Sequence, residues 1–187
     1  MSLSDQEKLR YSRHLNLPDF GISGQEKLKC AKVLVVGTGG LGAPLLQYLT
    51  AIGVGTIGVI DFDIVEESNL QRQVLFGMED LGKSKTTVAI TKLRAQNPFV
   101  NFIDHNLKLD ASNALEIISN YDVIADGTDN FPTRYLINDA CVLMGKPNVY
   151  ASVYRFEGQV SVFNWRSKEG VLGPNYRDVF PIPPSPG

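Results

Sequence analysis

The chain has 187 residues, of which 43% are hydrophobic and 20% charged, and its formal net charge is −2. These values favour a single domain with a hydrophobic core and argue against the strongly basic surface that binds nucleic acid or an anionic membrane. No apolar run approaches the roughly 20 residues that span a bilayer, and the polar N-terminus does not resemble a signal peptide. The two cysteines, Cys30 and Cys141, fit neither a disulfide framework nor a metal pair, so a cytoplasmic location is expected.

The predicted elements begin with a helical arm over residues 1–30. Ser4 and Glu7 have the spacing of a capping box, which predicts a helix through about His14. A second short helix is expected at residues 25–30.

Residues 31–165 predict an alternating core, in which short runs rich in Val and Ile alternate with segments of helical spacing. The predicted strands are residues 32–37, 56–61, 100–105 and 121–127, and the predicted helices are residues 41–52, 84–96, 112–119 and 132–145. Two further strands, residues 148–154 and 158–164, are close enough in the sequence to pair antiparallel. The pattern predicts an α/β, Rossmann-like fold. Its mainly parallel sheet is flanked by helices, with an N-terminal helical segment and antiparallel strands near the C-terminus.

Residues 166–187 differ in composition from the core. The last fifteen residues contain five prolines and two glycines, which disfavours both a helix and a central strand. We therefore expect a proline-rich crossing loop or tail. The whole of residues 1–187 is then expected to be one domain that belongs to a longer protein.

The sequence GTGGLG matches the pattern G-x-G-x-x-G between a predicted strand and a predicted helix, with glycines at Gly37, Gly39, Gly40 and Gly42. Such glycines allow a tight turn, close approach of the backbone to phosphate, and close helix packing. Asp61 closes the next strand, where an acidic residue commonly binds a ribose hydroxyl, which both NAD and ATP carry. The pattern predicts nucleotide binding, with a purely structural turn as the alternative.

The charged residues near this loop indicate an enzyme that transfers a group at a phosphate of its nucleotide. Such enzymes surround the phosphates with cations and supply a carboxylate for Mg²⁺. The candidate cations are Arg72 and Lys85. The candidate carboxylate is Asp129, which follows the fourth strand at the edge where α/β sheets bind ligands. Asn69 and Gln73 could donate or accept hydrogen bonds with the phosphates or the base. The structural alternatives are a solvated Lys85, an ordinary loop residue at Arg72, and an Asp129 that merely caps the following helix.

Five motifs in the expected order resemble the MoeB/ThiF/HesA family, the bacterial relatives of the ubiquitin-activating enzymes: VLVVGTGGLG, DFDIVEESNLQRQVLF, GKSK, GTDNFPTRYLIND and EGQVSVF. The resemblance covers the chain from about Leu9 to its end. It implies ATP-dependent adenylation of the C-terminal glycine carboxylate of a ubiquitin-like sulfur-carrier protein that ends in Gly-Gly, with release of pyrophosphate.

The resemblance also implies roles for individual residues. The glycine loop would cradle ATP and Asp61 would bind the ribose, while Asn69, Arg72 and Lys85 would contact the phosphates and Asp129 would hold Mg²⁺. Arg13 matches an arginine that family members lend to the ATP site of a partner subunit, which implies a homodimer.

The chain departs from the family where many members bind zinc through Cys-x-x-Cys pairs. Asn175 and Asp178 occupy the two positions of the first pair, and neither is a ligand that structural zinc sites prefer, so we predict no zinc. The variant resembles the subgroup in which a rhodanese-like domain follows. Cys30 and Cys141 do not match the family's loop cysteine and are expected to be packing residues.

Two other functions remain open from the sequence. An NAD-dependent oxidoreductase would use the same glycine loop and Asp61, but it has no evident need for Arg72, Lys85 and Asp129 together. A non-catalytic, ATP-binding scaffold is the other alternative, and the presence of Arg72 and Asp129 argues against it.

Overall fold

The computed structural model describes residues 1–184, and the last three residues of the predicted tail lie outside this range. One sheet has the strand order β3-β2-β1-β4-β5-β6. Its strands are β1 (Lys32–Val36), β2 (Thr56–Ile60), β3 (Asn101–His105), β4 (Val123–Asp126), β5 (Asn148–Tyr154) and β6 (Glu157–Phe163). The helices are α1 (Asp5–Arg10), α2 (Ser12–Leu15), α3 (Gly21–Cys30), α4 (Gly42–Ile52), α5 (Lys85–Gln96), α6 (Ala114–Ser119), α7 (Phe131–Met144) and α8 (Tyr176–Val179).

The first five strands of the sheet are parallel, and β6 pairs antiparallel with β5. In β1, every residue after Lys32 is buried, because helices cover both faces of the sheet at its centre. One buried cluster joins the sheet to α4 and α5, and a second joins it to α6 and α7. The predicted fold class, a Rossmann-like and mainly parallel sheet with an antiparallel pair near the C-terminus, is confirmed.

The strand order reverses between β1 and β4, which are neighbours in the sheet although two strands separate them in the sequence. The helix after β1 packs on one face and the helix after β4 on the other. The loops that leave these two strands therefore diverge and open a crevice at the carboxyl edge of the sheet.

The N-terminal arm differs in detail from its prediction. The capping box of Ser4 and Glu7 is present, but the first helix ends at Arg10 instead of continuing to His14. Tyr11 interrupts it because its buried side chain turns inward, where its hydroxyl accepts a hydrogen bond from Asn97. The predicted second helix begins earlier than expected, at Gly21. At the other end of the sheet, the turn between β5 and β6 consists of two residues, Arg155 and Phe156, where three were predicted.

The proline-rich segment contains a short helix that its composition disfavours, so that part of the prediction is wrong. Asn175 and Asp178 form a capping box around α8, and Tyr176 is buried in an aromatic cluster with Tyr135, Tyr150 and Phe163. Local capping and this burial offset the effect of the neighbouring prolines.

The two cysteines lie in different environments. Cys141 is buried, and burial raises the pKa of its thiol to about 12, which fits the predicted packing role. Cys30 is exposed at the end of α3, so the prediction of a packing role is wrong for that residue. None of the helices within residues 1–184 is long and apolar enough to cross a membrane.

Asn97 should be a major contributor to stability because it joins three segments. Its Nδ2 donates to the Tyr11 hydroxyl at 2.8 Å and to the Thr50 carbonyl at 2.7 Å, and its Oδ1 accepts from the Phe99 amide. Asn97→Ala would remove all three bonds and leave the buried Tyr11 hydroxyl without its donor, and we expect it to lower the free energy of unfolding by about 3 kcal/mol. Urea denaturation measures this change.

The control for that variant is Asn106→Ala. Asn106 is exposed, and its side chain makes no hydrogen bond within the described part of the chain. The control should change the free energy of unfolding by less than about 0.5 kcal/mol. Equal urea midpoints for the two variants would contradict the assigned role of Asn97.

Candidate nucleotide-binding site

A pocket of about 520 Å³ opens at the crevice between β1 and β4. The residues that follow β1, β2, β3 and β4 line it, together with the first residue of α5. Its volume lies within the range of about 300–1,000 Å³ that is typical of small-molecule sites. Its place at the reversal of strand order is where open α/β sheets bind their ligands.

The glycine loop forms one wall of this pocket, through Gly37, Gly39 and Gly40. Gly37 has φ +90°, a conformation that favours glycine. Gly42 begins α4 and does not line the pocket, since it packs directly under the loop, where a side chain would collide with the Gly37 carbonyl. Leu41 provides no side-chain cap for α4, so the positive end of this helix is available to an anion.

Asp61 lies in the pocket and is held by backbone and side-chain donors. Its Oδ2 accepts from the Thr38 amide at 2.8 Å and from the Thr38 hydroxyl at 2.7 Å, and its Oδ1 accepts from the Asp63 amide at 3.0 Å. Thr38 is fully buried and was not identified from the sequence. These bonds fix the orientation of the carboxylate before any ligand arrives.

Lys85 is buried in the pocket wall, so the alternative of a solvated charge is wrong. Its ammonium lies 3.0 Å from Asp63 Oδ2, and the Asp63 side chain is half exposed. Lys85 is the first residue of α5, where the positive end of the helix disfavours a cation. The Asp63 carboxylate offsets that repulsion, and the sequence analysis did not identify this residue.

Arg72 and Gln73 follow a short 3₁₀ helix and both line the pocket. Arg72 is exposed, and its guanidinium makes one hydrogen bond, from Nη1 to the Ser68 carbonyl at 3.3 Å. Gln73 is buried, and its Oε1 has no hydrogen-bond partner among residues 1–184. Both side chains therefore have hydrogen-bonding capacity left for a ligand.

Asp129 also lines the pocket and is exposed. The alternative that it caps α7 is wrong, because Asn130 is the cap and accepts from the Thr133 amide at 3.0 Å. Within the described residues the Asp129 carboxylate makes no hydrogen bond, so it is available to a ligand.

Besides Gly42, two of the sequence-predicted residues lie outside the pocket lining. Asn69 is buried beside it in the 3₁₀ helix, and its Oδ1 has no partner in residues 1–184. Arg13 is exposed on α2. The expected role of Arg13 concerns the site of a second subunit.

Sequence reasoning missed two buried charged residues on the Asp129 side of the pocket. Arg134 lines the pocket and is 8% exposed, and its Nη2 donates to the Thr128 carbonyl at 2.9 Å. Asp126 ends β4, and its Oδ1 accepts from the Thr128 amide and hydroxyl. Burial raises the pKa of Asp126. The signals in the sequence were the acidic end of an otherwise apolar strand for Asp126 and, for Arg134, its place in the motif GTDNFPTRYLIND.

The pocket combines apolar and charged surfaces. The ends of β1 and β2 and the chain after β3 contribute the apolar side chains of Val36, Ile60, Phe62, Leu107 and Leu109. The cations in the wall are Arg72, Lys85, Lys108 and Arg134. An apolar surface beside several cations suits a ligand with a flat base and a charged phosphate chain.

The part of the chain that the structure describes contains no group of three or more His, Cys, Asp or Glu residues arranged to hold a metal ion. Mg²⁺ does not require such a group, because it is commonly bound by one or two carboxylates together with substrate phosphates. Asp129, whose carboxylate lines the pocket and makes no hydrogen bond to residues 1–184, fits that chemistry. Asn175 and Asp178, at the positions of the family's zinc cysteines, are hydrogen-bonded to each other.

The chain is similar to proteins of known family. It is 58% identical over 186 residues to the probable adenylyltransferase/sulfurtransferase MoeZ of Mycobacterium tuberculosis, a match that covers all of this chain and 47% of the relative. It is 52% identical over 187 residues to a sulfur carrier protein adenylyltransferase of Thermus thermophilus, covering 69% of that protein. The chain thus spans about half to two thirds of the length of these relatives.

Solved structures are also similar to this chain. The structure of PaaA superposes with a TM-score of 0.76 at 27% identity, over 87% of this chain and 52% of PaaA. Escherichia coli MccB, in a structure with ATP, superposes with a TM-score of 0.70 at 33% identity, over 80% of this chain and 46% of MccB. The sequence model described as the ThiF family matches residues 11–187. The resemblance drawn from the sequence motifs is confirmed, and the chain belongs to the ThiF family.

Proposed function

We propose that this chain is the ATP-binding part of an adenylyltransferase that activates the C-terminal glycine carboxylate of a ubiquitin-like sulfur-carrier protein. The observation that carries the proposal is the convergence of Arg72, Lys85 and Asp129 on the pocket that the glycine loop lines. A reaction at a phosphate uses such charges, whereas hydride transfer needs the phosphates held but not attacked. The relatives named as adenylyltransferases support the same class of reaction.

The proposed nucleophile needs no general base. A C-terminal carboxylate has a pKa of about 3.5 and is already ionised near neutral pH. Neither histidine lines the pocket: His14 Nδ1 lies 2.8 Å from Gln25 Oε1, and His105 Nε2 lies 2.7 Å from the Tyr121 hydroxyl. Burial lowers the pKa of His105, which favours its neutral form.

The reaction is a displacement at the α-phosphorus of ATP. A carboxylate oxygen of the carrier forms a new bond to this phosphorus, the bond to the oxygen that bridges to the β-phosphate breaks, and pyrophosphate leaves with the electron pair. Arg72 and Lys85 would neutralise the phosphate charge, and the positive end of α4 would hold the phosphate chain. Asp61 would bind the ribose hydroxyls, oriented by Thr38.

Asp129 would hold the Mg²⁺ that accompanies ATP. The ion, when bound, would supply positive charge to the phosphates. Asp129 suits this role because its neighbours Thr128 and Asn130 carry the structural hydrogen bonds of the loop while its own carboxylate stays available.

The proposal includes a partner subunit. Arg13 is exposed on α2 and is proposed to reach the ATP site of a second copy, so that the active form is a homodimer. The carrier is proposed to present a flexible Gly-Gly end, because only a narrow tail enters a pocket that already contains ATP.

The first prediction concerns which nucleotide binds. MgATP at 100 times its dissociation constant should raise the free energy of unfolding by about 2.7 kcal/mol, which thermal unfolding detects. NAD at the same concentration should give no shift. Arg72→Ala and Asp129→Ala should each reduce the MgATP shift, because each removes a proposed contact of the phosphates or the metal.

Arg94→Ala is the matched control, since Arg94 is an exposed residue of α5 outside the pocket. It should leave the MgATP shift unchanged. A shift with NAD alone would overturn the proposal in favour of an oxidoreductase. An MgATP shift without any carrier-dependent reaction in the next experiment would favour the non-catalytic scaffold.

The second prediction concerns catalysis. A carrier ending in Gly-Gly should stimulate exchange of labelled pyrophosphate into ATP, and the same carrier without its last glycine should not. Arg72→Ala should raise the barrier by about 3–4 kcal/mol, a loss of a hundred-fold to a thousand-fold in rate, by analogy with other preorganised electrostatic contacts. A rate for Arg72→Ala close to that of Arg94→Ala would remove Arg72 from the proposed mechanism.

A further inference from the structure

Arg134 is held in an unusual way for a buried cation. Its guanidinium lies 5.5 Å from the centroid of the Phe131 ring and 5.6 Å from that of Tyr150. Its Nη2 donates to the Thr128 carbonyl at 2.9 Å, whereas its buried Nε has no partner among residues 1–184. Leaving a buried nitrogen unsatisfied costs free energy, so packing alone does not account for an arginine at this position.

The bond from Arg134 acts on the peptide that leads into Asp129. The Thr128 carbonyl and the Asp129 amide belong to one planar peptide unit, so a bond that fixes the carbonyl also fixes the orientation of that plane. The start of the same loop is also hydrogen-bonded, since the Gly127 amide donates to the Val36 carbonyl and the Thr128 amide donates to Asp126. Exchange of these two amides therefore reports whether the loop keeps its position.

We propose that Arg134 is a positioning residue, which fixes the Thr128–Asp129 peptide and so directs the Asp129 carboxylate into the pocket. This proposal rests on the proposed function where it concerns Mg²⁺ and ATP. The position of the loop itself is a property of the ligand-free chain.

The arrangement explains why arginine suits this position better than lysine. The planar guanidinium lies over two aromatic rings while one of its N–H groups donates to a carbonyl, whereas an ammonium on a flexible stem lacks this preorganised geometry. Burial raises the pKa of the nearby Asp126 carboxyl, and the charge of Arg134 acts in the opposite direction within the same buried region. Arg134 is therefore fixed by its surroundings and can in turn fix the loop.

Hydrogen exchange of the ligand-free chain tests the structural half of the proposal. Arg134→Met should accelerate exchange of the Gly127 and Thr128 amides about ten-fold or more, because a hydrogen bond to a charged group is lost beside them. Arg177→Met is the matched control. Arg177 also lies over an aromatic ring, 4.8 Å from the Tyr135 centroid, but it pairs with Asp139 and lies outside the pocket lining.

A double-mutant cycle tests the functional half. ATP binding is measured by calorimetry with excess Mg²⁺ and again with EDTA, for the unmodified chain, Arg134→Met, Asp129→Asn and the double variant. Arg134→Met should reduce the Mg²⁺-dependent gain in affinity about ten-fold, with a smaller effect in EDTA. If Arg134 acts through Asp129, the double variant should bind no more weakly than Asp129→Asn alone.

Three results would overturn the proposal: unchanged exchange at Gly127 and Thr128, equal losses of affinity in Mg²⁺ and in EDTA, or additive losses in the double variant. Additive losses would mean that Arg134 contacts the nucleotide directly. Arg134→Lys provides the second variant if Arg134→Met does not fold, and full recovery of the Mg²⁺-dependent affinity by lysine would also overturn it. If the unmodified chain does not bind ATP, the proposed function fails. The hydrogen-exchange measurement then still tests whether Arg134 fixes the Thr128–Asp129 loop.

Discussion

The parallel pairing of β1 with β4 is the constraint on which the rest of the structure depends. The pairing aligns Val36 with Asp126, so the loops that follow these strands leave the sheet side by side. The helices that continue from them pack on opposite faces, as the two separate buried clusters show. Neither loop therefore covers the gap between the strands, and a pocket forms without any special cavity-forming side chain.

The buried ionisable groups around the pocket lie near groups of opposite sign. Lys85 is paired with Asp63, and Asp126 lies near Arg134. A buried charge without such compensation would be strongly destabilising. Arg72 and Asp129, in contrast, are exposed and keep most of their bonding capacity for a ligand. The buried Lys85, Asp126 and Arg134 thus form a fixed frame, and the exposed Arg72 and Asp129 are the residues available to a ligand.

Much of the fold was predictable because its determinants are local. Every strand of the sheet and most helices were identified from valine-rich runs, helical spacing and the glycine pattern. The same pattern correctly predicted that Asp61, the acidic residue that follows β2, lies in the pocket. The residues that were missed depend on contacts distant in the sequence. Thr38 is identified only by its bonds to Asp61, 23 residues away, and the burial of Lys85 depends on Asp63, 22 residues away. Tyr11 ends α1 because its hydroxyl bonds to Asn97, 86 residues away. The sequence around Tyr11 does not indicate this contact.

The helix α7 joins the pocket to the C-terminal segment. Its first turn carries Arg134, and the next turn carries Asn138, whose Oδ1 accepts from the Tyr176 amide at 2.7 Å. Tyr150, whose ring centroid lies 5.6 Å from the Arg134 guanidinium, also packs against the Tyr176 ring with their centroids 5.1 Å apart. The segment around α8 and the loop that carries Asp129 are therefore supported by the same helix and the same aromatic side chain. Because packed interiors transmit displacement rather than absorb it, the position of Tyr176 constrains Arg134 and, through it, the Thr128–Asp129 peptide.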